Sequence, residues 1–369
     1  MSARMAYEFV YTSSPSGVRP GSSGFCVVAC TQGLPAALSS QLEKLCAYKP
    51  YFPEYAERAS ENPVSQAHCT VVCGGQTYHI LSRICHNGRD YTGRSNKLAS
   101  LVALERAEIQ AHPDGPASMF LRPGLFREAD WEIRPAVLPE PLSLPPVLMP
   151  VGVATAWQSV AGDAGWAGVL AESFLADPKS VVYLVFDPLR PVPAVLLVHE
   201  ALSLLPVEAR WQVTFNTYFT ALTAGVTCHW RFCPPDSEAL REARRRPGVV
   251  ILDLTAPLPA ARGGRQVDFA RSGERGGVAE RPVTVVSLSG AAVPEPDRKP
   301  LPPRRPMAGA TRRGRQGVEN TAGAAGAQPS AGSGPAFGRG GSKRLQVLLL
   351  VVGTAVALAV ALATWRWLG

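Results

Sequence analysis

Twenty consecutive uncharged residues, Leu345 to Thr364 (LQVLLLVVGTAVALAVALAT), set the tightest limit on what this 369-residue chain can become. At 1.5 Å of rise per residue, a helix of that length spans about 30 Å, the hydrocarbon thickness of a bilayer. Lys343 and Arg344 flank the stretch on one side and Trp365 and Trp367 on the other, where a lipid interface favours cations and indoles. A buried core helix is the competing reading, but the preceding residues offer it nothing to pack against. The pattern predicts a single C-terminal transmembrane helix over residues 345–365.

Charge sets the orientation. Residues 290–344 hold ten Lys or Arg against Glu295, Asp297 and Glu319. Basic flanks stay on the cytoplasmic side, so residues 1–344 are expected to be cytoplasmic and the protein single-pass. The opening MSARMAYEFVYTSS lacks the apolar core and cleavage site of a signal peptide. That tail and Arg366 account for the whole formal net charge of +8, which leaves residues 1–289 neutral. A neutral folded region argues against nucleic acid as a partner, and the basic linker reads as a contact for anionic lipid headgroups.

In a cytoplasmic chain the eight cysteines are expected to be reduced. Cys26/Cys30, Cys69/Cys73 and Cys228/Cys233 lack C-x-x-C spacing, so no metal site is assigned. Positions i and i+4 of a strand share a face, so the first two pairs read as small buried residues.

Five segments follow from composition and period. Residues 1–134 read as an α+β domain with an antiparallel sheet. Its strands are Glu8–Thr12, Phe25–Cys30, Ala67–Cys73 and Gln76–Arg83, with a helix at Pro35–Leu45. Gly74-Gly75 is a two-residue hairpin signal. Residues 135–150 hold six prolines and read as an extended connector without helical or strand period.

Residues 151–289 read as a three-layer α/β domain with helices at Trp166–Leu175, Ala194–Leu205 and Ser237–Arg245. Apolar strands are placed at Val181–Phe186, Trp211–Phe215, Val226–Phe232, Val249–Leu254 and Val283–Leu288. Residues 290–344 are rich in Gly, Ala, Pro, Ser and Arg and read as a disordered tether, about 40 Å in r.m.s. span.

The α/β pattern invites a search for a phosphate site, but neither G-x-x-x-x-G-K-[ST] nor G-x-G-x-x-G is present. Gly162–Gly165 reads as a helix start, and Asp187 and Asp253 as strand-end residues. Cys69 beside His68, and Cys85 beside His86, point to opposite faces of a strand and cannot pair as nucleophile and base. No catalytic residue, metal ligand or cofactor is assigned.

The densest polar stretch, Leu81 to Lys97 (LSRICHNGRDYTGRSNK), reads as a long loop after a strand. Arg83, Asp90, Tyr91, Arg94, Ser95 and Asn96 are its candidate ligand- or partner-binding residues. Arg83 and Arg94 could grip an anion through their planar forks. The competing reading is an Asp90–Arg94 pair that only holds the loop.

Two sets of strings resemble one bacterial family. YTSSPSGVRPGSSGFCVVACTQGLP and YHILSRICHNGRDYTGRSNKLA resemble the type-2 N-terminal domain of the GTPase-associated proteins. WQSVAGDAGWAGVLAESFL and RWQVTFNTYFTALTAGVTCHWR are similar to the middle domain of the same family. The resemblance covers roughly residues 8 to 254 and implies a GTPase partner in a prokaryotic conflict or signalling system, with no established catalytic role. It also implies histidines after Ser95-Asn96-Lys97, where this chain has Ala99, Ser100 and Leu101. The expectation is a membrane-tethered, non-enzymatic adaptor. The alternative is an enzyme or ligand-binding protein with its site around Arg83–Asn96.

Overall fold

Largely buried apolar runs in the first hundred residues build antiparallel strands. β1 (Ala6–Ser14) pairs with β2 (Gly24–Thr31), and α1 (Ala36–Leu45) follows with Leu38 and Leu42 buried one turn apart. β3 (Ser65–Cys73) and β4 (Gln76–Arg89) flank Gly74-Gly75, whose φ values of 58° and 77° suit the tight turn the dipeptide predicts. β4 turns directly into β5 (Ser95–Leu104), with Asp90 to Arg94 between them. The stretch Leu81–Lys97 is therefore most of a second hairpin, not a loop. A strand with one solvated face and a projecting tip carries as many polar residues as a loop does.

Two short helices, α2 (Arg106–Ile109) and α3 (Pro116–Phe120), lead to β6 (Ala136–Leu138). β6 lies within the proline-rich stretch and pairs parallel to β2. Proline is tolerated at such an outermost strand because a ladder is needed on one side only.

The computed structural model describes residues 6–274, apart from 54, 129–130, 145–150 and 257. The expected strand at Val283–Leu288, the basic linker and the membrane helix lie outside the described residues. Among the described residues no helix is long and apolar enough to cross a membrane.

Helix and strand alternate in the second half. α4 (Thr155–Ala161), α5 (Gly165–Ala176) and β7 (Val182–Val185) come first, then α6 (Ala194–Ser203), α7 (Val207–Arg210) and β8 (Phe215–Asn216). β9 (Trp230–Cys233), α8 (Glu238–Arg244), β10 (Val250–Asp253) and α9 (Arg265–Ser272) complete it. β8, β9, β7 and β10 run parallel to their neighbours in that order. The stretches expected as strands at 211–215 and 226–232 contribute only their ends, because Trp211 closes α7 and residues 220–229 form a loop. α9, which no period announced, lies against α5. A Cβ on Gly168 would fall 2.3 Å from the Val267 amide nitrogen, so glycine sets how closely these helices approach.

The ten strands of the described residues form one mixed sheet, ordered β10-β7-β9-β8-β3-β4-β5-β1-β2-β6. A single row of paired residues crosses it: Ile251, Tyr183, Arg231, Asn216, Ala67, Ser82, Leu101, Phe9, Cys30 and Val137. On the face of that row, α1 packs on Phe9, Ile80 and Leu101, and α8 packs on Tyr183 and Val185. The other face carries Phe215, Trp230 and Val182 and meets α4, α5 and α6 through Trp157, Leu170 and Leu197.

The α4 N-terminus is capped from outside its own segment. The buried Glu200 carboxylate of α6 accepts from the Ala156 and Trp157 amides at 2.9 and 3.1 Å. Cys69/Cys73 and Cys228/Cys233 share faces, each pair packed on one cluster. Cys26 and Cys30 do not, because a register shift between Val10 and Tyr11 inserts an extra β2 residue between them and rotates Cys26 to the opposite face.

Candidate functional site

Small residues in the middle of the row leave a gap in the helical cover. α1 ends at Leu45 and α8 begins at Glu238, and between them the sheet presents Ser65, Ala67, Cys69, Ser82 and Ile84. Over that floor opens a crevice of about 350 Å³, walled by Lys44 to Lys49 on one side and by Tyr218 to Thr223 and Val226 to Cys228 on the other. It runs into a recess of about 240 Å³ between Lys49–Tyr51 and Pro234–Arg241. In the other direction it continues into a groove of about 510 Å³ between Thr70–Val72 and Thr223–Thr227.

The walls are held by their own hydrogen bonds. The Tyr48 hydroxyl donates to the Pro63 carbonyl at 2.7 Å, and the Tyr218 hydroxyl to the Lys49 carbonyl at 3.0 Å. Burial raises both phenols well above their usual range. Ser65 donates to Asn216 Oδ1 at 3.1 Å, tying β3 to β8. The crevice and the long groove are lined by lysine, hydroxyl and amide groups over an apolar floor, with no carboxylate among the lining residues. Such a surface suits an anionic or peptide-like segment. Burial pushes the Cys69 and Cys228 thiols up to about 12, so both stay protonated and are poor nucleophiles at neutral pH.

Below the crevice, on the other face, the halves are joined through histidines. His68 Nδ1 lies 2.7 Å from the Val213 carbonyl, which only a protonated nitrogen can satisfy, so its Nε2 accepts from His79 Nδ1 at 3.1 Å. The rings are parallel to within 4°, and Trp211 stands edge-on to both. Burial holds His79 down to about 4 and His68 well below its ordinary value, which keeps both neutral.

The six residues singled out in the sequence sit at and beside the tip of the second hairpin, and the structure divides them. Asp90 is the hub. Its carboxylate accepts from the Thr92 hydroxyl at 2.6 Å, the Ser13 hydroxyl at 2.8 Å and the Thr92 and Arg94 amides at 2.8 and 3.0 Å. The Arg94 guanidinium pairs with it at 3.1 Å. These donors, the Thr92 hydroxyl foremost, hold its carboxyl well below the usual range. Asn96 is buried beside it, its Oδ1 accepting from the Thr12 hydroxyl and the Ser13 amide, both at 3.1 Å.

Ser95 opens β5, and Tyr91 projects from the tip with half its surface exposed. Arg83 lies apart, along β4, its guanidinium 3.5 Å from the Arg127 carbonyl. The arrangement locks the hairpin tip to the end of β1 and leaves Arg94 and Tyr91 facing solvent. Elsewhere, Asp163 accepts from the Gly165 and Ala261 amides and pairs with Arg271 at 2.6 Å. Asp187 and Asp253 accept from amides two residues on. Among the described residues no cluster of His, Cys, Asp or Glu could hold a metal ion.

Residues 5–147 match the family model for GTPase-associated protein 1, N-terminal domain type 2, and residues 154–256 match that for the GTPase-associated protein 1 middle domain. The chain belongs to the GTPase-associated protein 1 family. No curated protein and no solved structure matches it. The first match contributes β1–β6 and the second β7–β10, so the two meet where β3 pairs with β8, beneath the crevice. Lys44 and Lys49 drew no notice in the sequence. Only the run of small residues on neighbouring strands signals the gap, and that run forms only once β3, β4 and β8 are paired.

Proposed function

We propose that this protein is a membrane-tethered, non-enzymatic adaptor that acts with a GTPase partner in a bacterial conflict or signalling system. The observation that carries the reading is the pair of adjoining family matches, both to domains described as GTPase-associated. The crevice where they meet supports an interaction role, since its walls are pre-organised and its lysines are exposed at the rim. The tether would come from the basic linker and the apolar segment 345–365, with the folded part on the cytoplasmic side. Anionic headgroups would then attract the linker at about 1 kcal/mol per basic residue near the surface.

Flotation of the full chain and of a Met1–Gly341 truncation on a lipid gradient, followed by affinity capture with GDP or a GTP analogue present, tests this. The full chain should float, the truncation should not, and both should retain an identified GTPase. Failure of the full chain to float overturns the tether, and recovery of no GTPase in any nucleotide state overturns the partnership.

A further inference from the structure

The ladder between the halves is incomplete, and the gap has a definite chemistry. β3 pairs with β4 from Ser65 to Cys73, whereas β8 meets it only at Ala67 and His68. Gln66 donates its amide to Thr217 Oγ1 and accepts from the Thr217 amide, both at 2.9 Å, so its backbone groups face the β8 side. Backbone groups alternate sides along a strand, so those of Thr70 and Val72 face the same way. The tight turn gives the same parity independently, since Cys73 opposes Gln76 across Gly74-Gly75 and so turns its own groups toward β4. No strand among the described residues pairs with β3 beyond His68 on that side.

Natural sheets shield such edges with proline, bulges or inward charges. Here β3 has none of them between Cys69 and Cys73, and Val72 is 70% exposed. The long groove lies along this edge, with Thr223–Thr227 as its far wall. Five residues of strand run about 17 Å, the length of the free stretch. On the α1 side the groove meets Gln41 and Lys44 and opens toward Lys49, with no carboxylate in its lining or in that of the adjoining crevice. On the other side lies Val72.

We propose that the free edge of β3 at Cys69–Cys73 accepts an extended segment of a partner protein as an additional strand. The segment's carboxylates would alternate with apolar side chains. Main-chain hydrogen bonds to Thr70 and Val72 supply the affinity, and the alternation supplies the selectivity. Carboxylates on the α1 side reach Lys44, and apolar side chains on the other side cover Val72. This deepens the interaction role above and rests on it in taking the partner protein to be the GTPase.

The test uses the full chain in detergent and fluorescein-labelled peptides of sequence EVEVEVE, KVKVKVK and EVEPEVE, read by anisotropy. EVEVEVE should bind at least about tenfold more tightly than the other two. Val72→Pro should weaken it about tenfold, because proline removes an edge donor while leaving pairing to β4 intact, and Lys44→Glu should weaken it about threefold. Amide exchange at Thr70 and Val72 should slow when EVEVEVE is present. That readout decides the matter if Val72→Pro does not fold. Equal binding of all three peptides, or exchange unchanged at Thr70 and Val72, overturns the proposal. So does a peptide-free dimer that Val72→Pro dissolves, since a second copy would then occupy the edge. A GTPase captured equally by wild type and Val72→Pro overturns this edge alone and leaves the partnership standing.

Discussion

The two halves of the sheet hold themselves together by different means. In the antiparallel half, β1, β3, β4 and β5 are nine to fourteen residues long, and two hairpins set the registers of β3, β4 and β5 locally. In the parallel half, β7, β9 and β10 have four residues each and β8 has two, and every connection crosses over through helix or loop. Short parallel strands offer few ladder bonds, so that half depends on side chains packed from helices on both faces. Changes to helix–sheet packing should therefore cost more than changes to a hairpin tip.

Trp157→Ala probes the parallel half at its fullest burial. The indole is completely buried and donates to the Leu197 carbonyl at 2.8 Å. Its loss should cost about 3–5 kcal/mol in urea denaturation. A cost smaller than that of the hairpin-tip variant below would break the comparison.

The histidine pair sharpens it, because it joins the halves. His79 is held at about 4 by burial, below the 6.5 of the unfolded chain. As pH falls, the unfolded state takes up its proton first. Stability is thus full near pH 7 and above and is lost as pH drops from about 6.5 toward 4, by about 3 kcal/mol at the lower end. His79→Phe should flatten that slope, as seen in denaturation midpoints collected between about pH 7 and pH 4.5. An unchanged slope would remove the histidines from the junction's energetics.

Asp90→Ala should have the smallest effect, a fall of a few degrees in Tm at neutral pH, because the ladder on either side of the tip remains. The Asp90 carboxyl is depressed in the folded state, so its contribution is present above about pH 4 and fades as pH falls further. Wild type and Asp90→Ala should converge in Tm under acid conditions. A gap that persists there would mean the aspartate acts by shape and not by charge.

Much of the secondary structure was legible because its causes are local. Gly74-Gly75 announced one hairpin, and continuous apolar runs announced β7 and β10. The second hairpin was missed because the turn at 90–94 is made by an aspartate accepting from its neighbours, a signal easily mistaken for loop polarity. The shared sheet was missed because its junction rests on a two-residue strand and on partners such as Ser65 and Asn216, 151 positions apart. No period survives in two residues. Of the six polar candidates, Asp90 and Arg94 were legible as a pair by their spacing, whereas Arg83 lies on β4, outside the turn that holds them.

The row of residues that crosses the sheet bears on inheritance. Two family segments that share one ladder cannot be exchanged independently, as beads on a string can. A recombination that carried off residues 154–256 alone would strip β3 of its one strand partner on that side among the described residues and leave β8 with none but β9. Descendants of such an event would need to grow a new edge or borrow one from another chain. The two segments are therefore expected to travel through genomes as a fixed pair, kept together by the backbone hydrogen bonds between β3 and β8 rather than by the linker that joins them.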